Sequence, residues 1–286
     1  MARSYTLHTP ASASRIDFAA ALNDQQLAAV QSPPGASLVI AGAGSGKTRT
    51  LTYRVAWLLE QGVPPSSILL LTFTNKAAKE MIERVRDLLP GGGDGIWNGT
   101  FHSIGNRILR RHPEGVGFRE GFSIMDREDS EDMIASVLAK DGVVTTNKRF
   151  PKAGVLSDIF SYSINTGSPI SKVLAEKYPY FIPLAADIER VQGQYESRKK
   201  EANSMDFDDL LSKTLELFLT SPEIAARYQE QFRHILVDEY QDTNVLQSSL
   251  VDCLASRHGN VMVVGDDAQS IYSWRGANFE NILRFP

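Results

Sequence analysis

The sequence predicts an α/β fold: a parallel β-sheet flanked by helices and interrupted by an inserted all-helical subdomain. Three observations predict it. Short apolar runs (Leu38 to Ile40, Ile68 to Phe73, His234 to Val237, Asn260 to Val264) have the continuous hydrophobic character of strands buried on both faces. The first is followed by a glycine-rich loop and a long helical pattern, the order of a phosphate-binding unit. Between residues 105 and 200 helical patterns dominate and no such buried strand run occurs, so the sheet is interrupted there and resumes near Asp206.

At 286 residues the chain has room for about two domains of roughly 150 residues each. Hydrophobic residues at 42% and charged residues at 22% are ordinary for a globular protein, and no apolar run approaches the roughly 18 residues of a membrane span. The single cysteine, Cys253, excludes an internal disulfide, suits a reducing compartment such as the cytoplasm, and is read as inert. A net charge of −4 argues against indiscriminate adhesion to nucleic acid but leaves room for a local basic groove.

Taken in order, residues 1–18 read as a flexible arm without an acidic residue before Asp17. Leu22 to Val30 reads as a short helix capped near Asn23 or Asp24, broken by Pro33, Pro34 and Gly35. After the first strand comes Ala41 to Thr48, AGAGSGKT. Its glycines allow a tight turn in which backbone N–H groups face phosphate oxygens at a helix N-terminus. Ala41, Gly42, Ala43, Gly44, Ser45 and Gly46 would form the cradle, Lys47 would reach the β and γ phosphates, and the Thr48 hydroxyl would bind Mg²⁺. Ala41 replaces the glycine that usually opens this motif. Arg49 to Gln61 is predicted as a helix stopped by Gly62, with Trp57 as packing. TNKAAKEMIERVRDLL follows the second strand as a strong helix; Trp97 to Phe101 is a third strand, and Ser103 is placed as the cap of the next helix.

The insertion is predicted to hold helices at Glu128 to Ala139, Val155 to Ser163, Ile170 to Lys177 and Ala185 to Lys200. Arg107, Arg110 and Arg111 fall at i, i+3 and i+4, a basic helix face that either touches phosphates or is merely solvated. Arg198, Lys199 and Lys200 end a helix, where positive charge suits the dipole. Helices at 206–219 and 222–231 then lead to the strand His234 to Val237, and a helix at Asn244 to Ser256 precedes the last strand.

The strand His234 to Val237 delivers two consecutive acids in ILVDEYQD. The arrangement suits Asp238 to hold Mg²⁺, directly or through water, and Glu239 to activate an attacking water. Further on, VVGDDAQSIYSWRGA offers Gln269 to a γ-phosphate or that water, and Tyr272, Trp274 and Arg275 as two aromatic faces and a cation for bases and backbone.

Together these segments resemble superfamily 1A DNA helicases of the UvrD/Rep/PcrA type. The matching blocks are LNDQQLAAV, AGAGSGKT, LTFTNKAA, GTFHS, MDFDDLL, VDEYQD and GDDAQSIYSWRGA, in the family's order from residue 22 to 277. Ala268 and Ser273 depart from close relatives. The resemblance implies a RecA-like P-loop NTPase domain (19–104 and 204–286) carrying the helical insertion 1B (105–203). It implies ATP and Mg²⁺ as cofactors, and single-stranded DNA and duplex junctions as partners, with repair or replication proteins besides. It makes Gln26 a reader of the adenine edge and places Arg49 near base or ribose. Lys47, Asp238, Glu239 and Gln269 become catalytic, and Thr48 and Asp238 metal-binding. Phe73, Asn75, His102, Tyr272, Trp274 and Arg275 would line the single-stranded DNA track. Phe73, which ends a buried run, also has a core reading of lesser weight, and His102 is equally readable as a hydrogen-bonded loop histidine. The implied activity is ATP-dependent 3′ to 5′ unwinding or translocation in DNA repair or replication. Because the family's second RecA-like domain would follow Pro286, the expectation for residues 1–286 is an N-terminal part with weak activity. The alternative is a short DNA- or partner-binding module without motor activity.

Overall fold

The computed structural model describes residues 16–42, 44–140, 150–266 and 285. Ala43, Gln269, Tyr272, Trp274 and Arg275, and nearly all of the predicted arm, lie outside the described residues.

Two short helices lead in: α1 (Phe18–Ala21) and α2 (Asp24–Val30). Asn23 caps α2 reciprocally with Gln26, each side chain accepting the other's backbone N–H. Phe18 is buried edge-on against Tyr53 and Trp57, so packed structure starts within the span predicted as an arm. The chain continues through β1 (Ser37–Ile40), α3 (Lys47–Glu60), β2 (Ile68–Thr72), α4 (Asn75–Leu88), β3 (Trp97–Thr100) and α5 (Phe101–Leu109). Thr100, not Ser103, caps α5: its hydroxyl accepts the Ser103 N–H at 3.2 Å, because strand and helix abut with no loop between them. Next come β4 (Ser123–Ile124), α6 (Arg127–Lys140), α7 (Ala153–Thr166), α8 (Ile170–Lys177), α9 (Ala185–Ala202) and β5 (Ser204–Met205). The last part holds α10 (Phe207–Thr220), α11 (Pro222–Gln231), β6 (His234–Val237), α12 (Val245–Ala255) and β7 (Val261–Gly265).

The main sheet has the order β1-β7-β6-β2-β3, and every neighbouring pair is parallel. All five strands therefore deliver their C-terminal ends to one rim, and the strand order jumps between β1 and β2, the kind of crevice where α/β sheets bind ligands. Alternation along β2 sends Ile68 and Leu70 to one face and Leu69 and Leu71 to the other. The first face packs on α3 and α4 through Leu51, Val55, Met81 and Val85. The second packs on α5, α10, α11 and α12 through Ile104, Ile108, Leu217, Tyr228 and Val251. Each such fully buried side chain contributes about 1.5–3 kcal/mol.

A separate core runs from Met125 to Tyr195 and is built from helices: Ile134, Leu156, Ile159, Phe160, Val173, Leu174, Ile188 and Val191. It spans less than 105–203, because α5 and the following Phe118 and Phe122 pack into the core of the sheet. At the neck where the chain leaves and rejoins the sheet layer, β4 and β5 form a two-residue parallel ladder, Ser123 beside Ser204 and Ile124 beside Met205. Lys199 corrects the helix-end reading. It is fully buried, and its ammonium lies 2.8 Å from Glu196, 2.8 Å from Asp206 and 2.7 Å from Asp209. The end of α9 is thereby fastened to the first turn of α10.

Candidate nucleotide and nucleic-acid site

The rim collects most of the singled-out residues that the described structure covers, since each immediately follows a parallel strand. Residues 41–48 follow β1, Phe73 follows β2, His102 lies in the first turn after β3, and Asp238 and Glu239 follow β6. Asp266 follows β7.

Gly46 stands at the N-cap of α3 with φ +90°, a left-handed conformation that favours glycine. A Cβ there would sit 2.7 Å from Nε2 of Gln26, the movable end of that side chain, so the backbone conformation is what favours glycine here. With no side-chain cap on α3, its first N–H groups face the loop, as an anion site requires. Gln26 Nε2 donates to the Ser45 carbonyl at 3.0 Å and ties α2 to the loop. Arg49 turns toward α1, donating to the Ala21 carbonyl at 2.9 Å with its guanidinium 4.9 Å above the Tyr53 ring.

Lys47 is buried, with its ammonium 3.4 Å from Asp266 and 3.6 Å from Glu239. Asp238, also buried, donates its N–H to the Leu71 carbonyl at 2.9 Å and is hydrogen-bonded by the Thr48 hydroxyl. Burial first, and the neighbouring Glu239 second, push its carboxyl up to about 6. Glu239 has φ +52°, an uncommon left-handed backbone for a residue with a side chain. Its carboxylate accepts from Gln241 Nε2 at 2.7 Å, and Gln241 Oε1 accepts the Asp266 N–H at 3.0 Å. Gln241 thus cross-links the ends of β6 and β7.

Beside this acid and lysine group, a cleft of about 830 Å³ opens between the rim and the helical core. Phe73 and His102 line it, and so does Phe207, which is 55% exposed with its ring 5.9 Å from that of His102. Asn75, the first residue of α4, is exposed on the rim and outside the cleft lining. The predicted basic face, at the end of α5 and just past it, splits around aromatic rings at the opposite end of the sheet. Arg107 and Arg111 lie 3.6 Å and 4.8 Å above Trp97, the first residue of β3, while Arg110 covers Phe122 and donates to its carbonyl.

This geometry fits several phosphate-handling families, and comparison with known sequences separates them. The UvrD/REP helicase N-terminal domain family matches residues 22–286. The chain belongs to this family. Among its relatives, the ATP-dependent DNA helicase PcrA of Bacillus subtilis (strain 168) is 45% identical over 267 residues, covering 92% of this chain and 35% of the relative. Those of Staphylococcus aureus (strain Mu50) and Leuconostoc citreum are each 42% identical, again over 92% of this chain and 36% and 35% of theirs. The chain therefore spans about a third of the length of the curated relatives it matches.

Sequence reasoning missed three residues of this UvrD/REP domain. Asp266 faces Lys47, and its signal was its place directly after a buried strand. Gln241 sits within the acid-bearing segment and braces Glu239. Phe207, within MDFDDLL, resembles a core position by residue type; only its place at the first turn of α10 turns it into the cleft.

Proposed function

We propose that this chain is the nucleotide- and single-stranded-DNA-binding part of an ATP-dependent 3′ to 5′ DNA helicase or translocase, acting in the cytoplasm in repair or replication. One observation carries the reading: Lys47, Thr48, Asp238 and Glu239, from two separate strand ends, meet at the rim directly beside a cleft bearing Phe73, His102 and Phe207.

In this reading the N–H groups of the loop and of the first turn of α3 bind the phosphates, and Lys47 exchanges its carboxylate partners for phosphate oxygens. Gln26, bound to the loop, would report the base, with Arg49 nearby. The oxygen donors of Thr48 and Asp238 suit Mg²⁺, which when bound offsets phosphate charge. The raised Asp238 carboxyl makes protons compete with the cation below about pH 6. Glu239, its carboxylate fixed by Gln241, takes the proton of the attacking water, and Gln269 would sense the γ-phosphate. Tyr272, Trp274 and Arg275 would extend the track that Phe73, Asn75 and His102 begin, and duplex junctions would meet the helical core.

No helix of the described residues is long and apolar enough to cross a membrane. The DNA half of the reading is tested at Phe207. Phe207→Ala is expected to weaken binding of an oligo-dT strand by about 1–3 kcal/mol, the worth of one stacked base. Fluorescence anisotropy measures it, and an unchanged affinity removes the cleft from the DNA path.

A further inference from the structure

Asn165, the penultimate residue of α7, joins the helical core to the catalytic rim through both ends of its amide. Its Oδ1 accepts from Asn244 Nδ2 at 2.6 Å. Its Nδ2 donates to Asp208 Oδ1 at 2.7 Å and to the Ser161 carbonyl at 2.9 Å. One side chain of the inserted helices therefore grips the first turn of α10 and the cap of α12 together.

Asn244 is committed on its own side. It caps α12 by accepting the Gln247 N–H at 2.9 Å, and Gln247 returns the bond to the Asn244 N–H at 2.9 Å. Upstream, the Thr243 hydroxyl closes the turn onto the Tyr240 carbonyl at 2.6 Å, and Gln241 holds both the Glu239 carboxylate and the Asp266 N–H. The five residues from Glu239 to Thr243 thus form a braced turn, with Lys47 and the acids at one end and Asn165 beyond the other. Ser157, Ser161 and Asn165 of α7 also line the cleft. Directional bonds of this kind hold two elements in a fixed register, which an apolar contact would let slide.

We propose that Asn165 is a positioning residue that couples nucleotide at the Lys47–Glu239 end of the turn to the wall of the DNA cleft formed by α7. The proposal rests on the nucleotide and DNA reading above. A nucleotide that draws Lys47 or Glu239 away from its present partners shifts the braced turn, and through Asn244 and Asn165 moves α7 against the bound strand. Such coupling is reciprocal, so it is measurable as the factor by which nucleotide changes DNA affinity.

The test is anisotropy of a labelled oligo-dT strand with and without saturating Mg²⁺·AMP-PNP, together with nucleotide affinity without DNA. The parent is expected to show a linkage factor of roughly 5–150. Asn165→Ala is expected to bring the factor below about 2 while nucleotide affinity without DNA changes less than about twofold. Asn165→Asp sets a carboxylate against Asp208 and should lose the linkage too. Adding Asp208→Asn exchanges donor and acceptor across the Asp208 contact and should recover part of the linkage, the Ser161 carbonyl being left without its Nδ2 donor. An alanine variant that keeps the parent's factor, a double variant no better than Asn165→Asp, or a parent that binds both ligands without linkage overturns the proposal. A parent that binds neither ligand overturns the underlying reading instead.

Discussion

Lys47→Ala is expected to weaken binding of Mg²⁺·ATP by about 1.5–3 kcal/mol, roughly 10–150-fold, the worth of a hydrogen bond to a charged group. The ammonium is buried and already held between Glu239 and Asp266, so it needs no new ordering to meet a phosphate. Its removal also leaves those acids without their cation, and repulsion then opposes the incoming phosphates. Lys47→Arg separates charge from shape: it keeps the positive charge, but a planar guanidinium does not fit a pocket formed around a compact ammonium. Both variants should therefore bind weakly, with the arginine variant keeping more thermal stability. Calorimetric titration gives the affinities, and an alanine variant that binds like the parent removes Lys47 from the phosphate site.

Lys199→Met is expected to cost about 3–5 kcal/mol of folding stability, the usual penalty for removing one partner of a buried ion group. For a domain of this size that lowers the unfolding midpoint by roughly 6–20 °C. Lys199 is fully buried against Glu196, Asp206 and Asp209, and without it the two aspartates face each other across the first turn of α10. Burial first, and the neighbouring Asp206 second, hold Asp209 above the usual carboxylate range. Adding Asp206→Asn and Asp209→Asn should recover much of the loss. Neutral amides remove the repulsion and can keep the reciprocal cap in which each aspartate accepts the other's N–H. Thermal unfolding followed by circular dichroism checks both, and a midpoint unchanged by Lys199→Met contradicts the assignment of Lys199 as the neck's fastening.

Most of the sheet was legible because its strands are short, continuous apolar runs. His234 to Val237 and Ile170 to Lys177 have the predicted bounds, and Asn260 to Val264 is displaced by one residue. The rim followed from the same reading, since a parallel sheet sends the residues after each strand to one side. What escaped depends on contacts between distant segments. A two-residue ladder such as β4 with β5 carries no periodicity, so nothing local announces it. The RKK at the end of α9 has the composition of a solvated helix end, and only Asp206 and Asp209, folding back on it, bury the middle lysine. Arg107, Arg110 and Arg111 were readable as a basic face, but not their attachment to Trp97 and Phe122. Asn165 lay two residues past the predicted helix end at Ser163, and its partners are 43 and 79 positions away.

The central claim is that Ala41 to Thr48, Asp238 and Glu239 form one nucleotide site. A crystal structure with Mg²⁺ and ADP·beryllium fluoride tests it most directly. The expected result has the phosphates on the N–H groups of residues 44–48, Lys47 moved from Asp266 to a phosphate oxygen, and Mg²⁺ held by Thr48 and by Asp238 directly or through water. Nucleotide bound elsewhere, or bound with Lys47 still paired to Asp266, would contradict it.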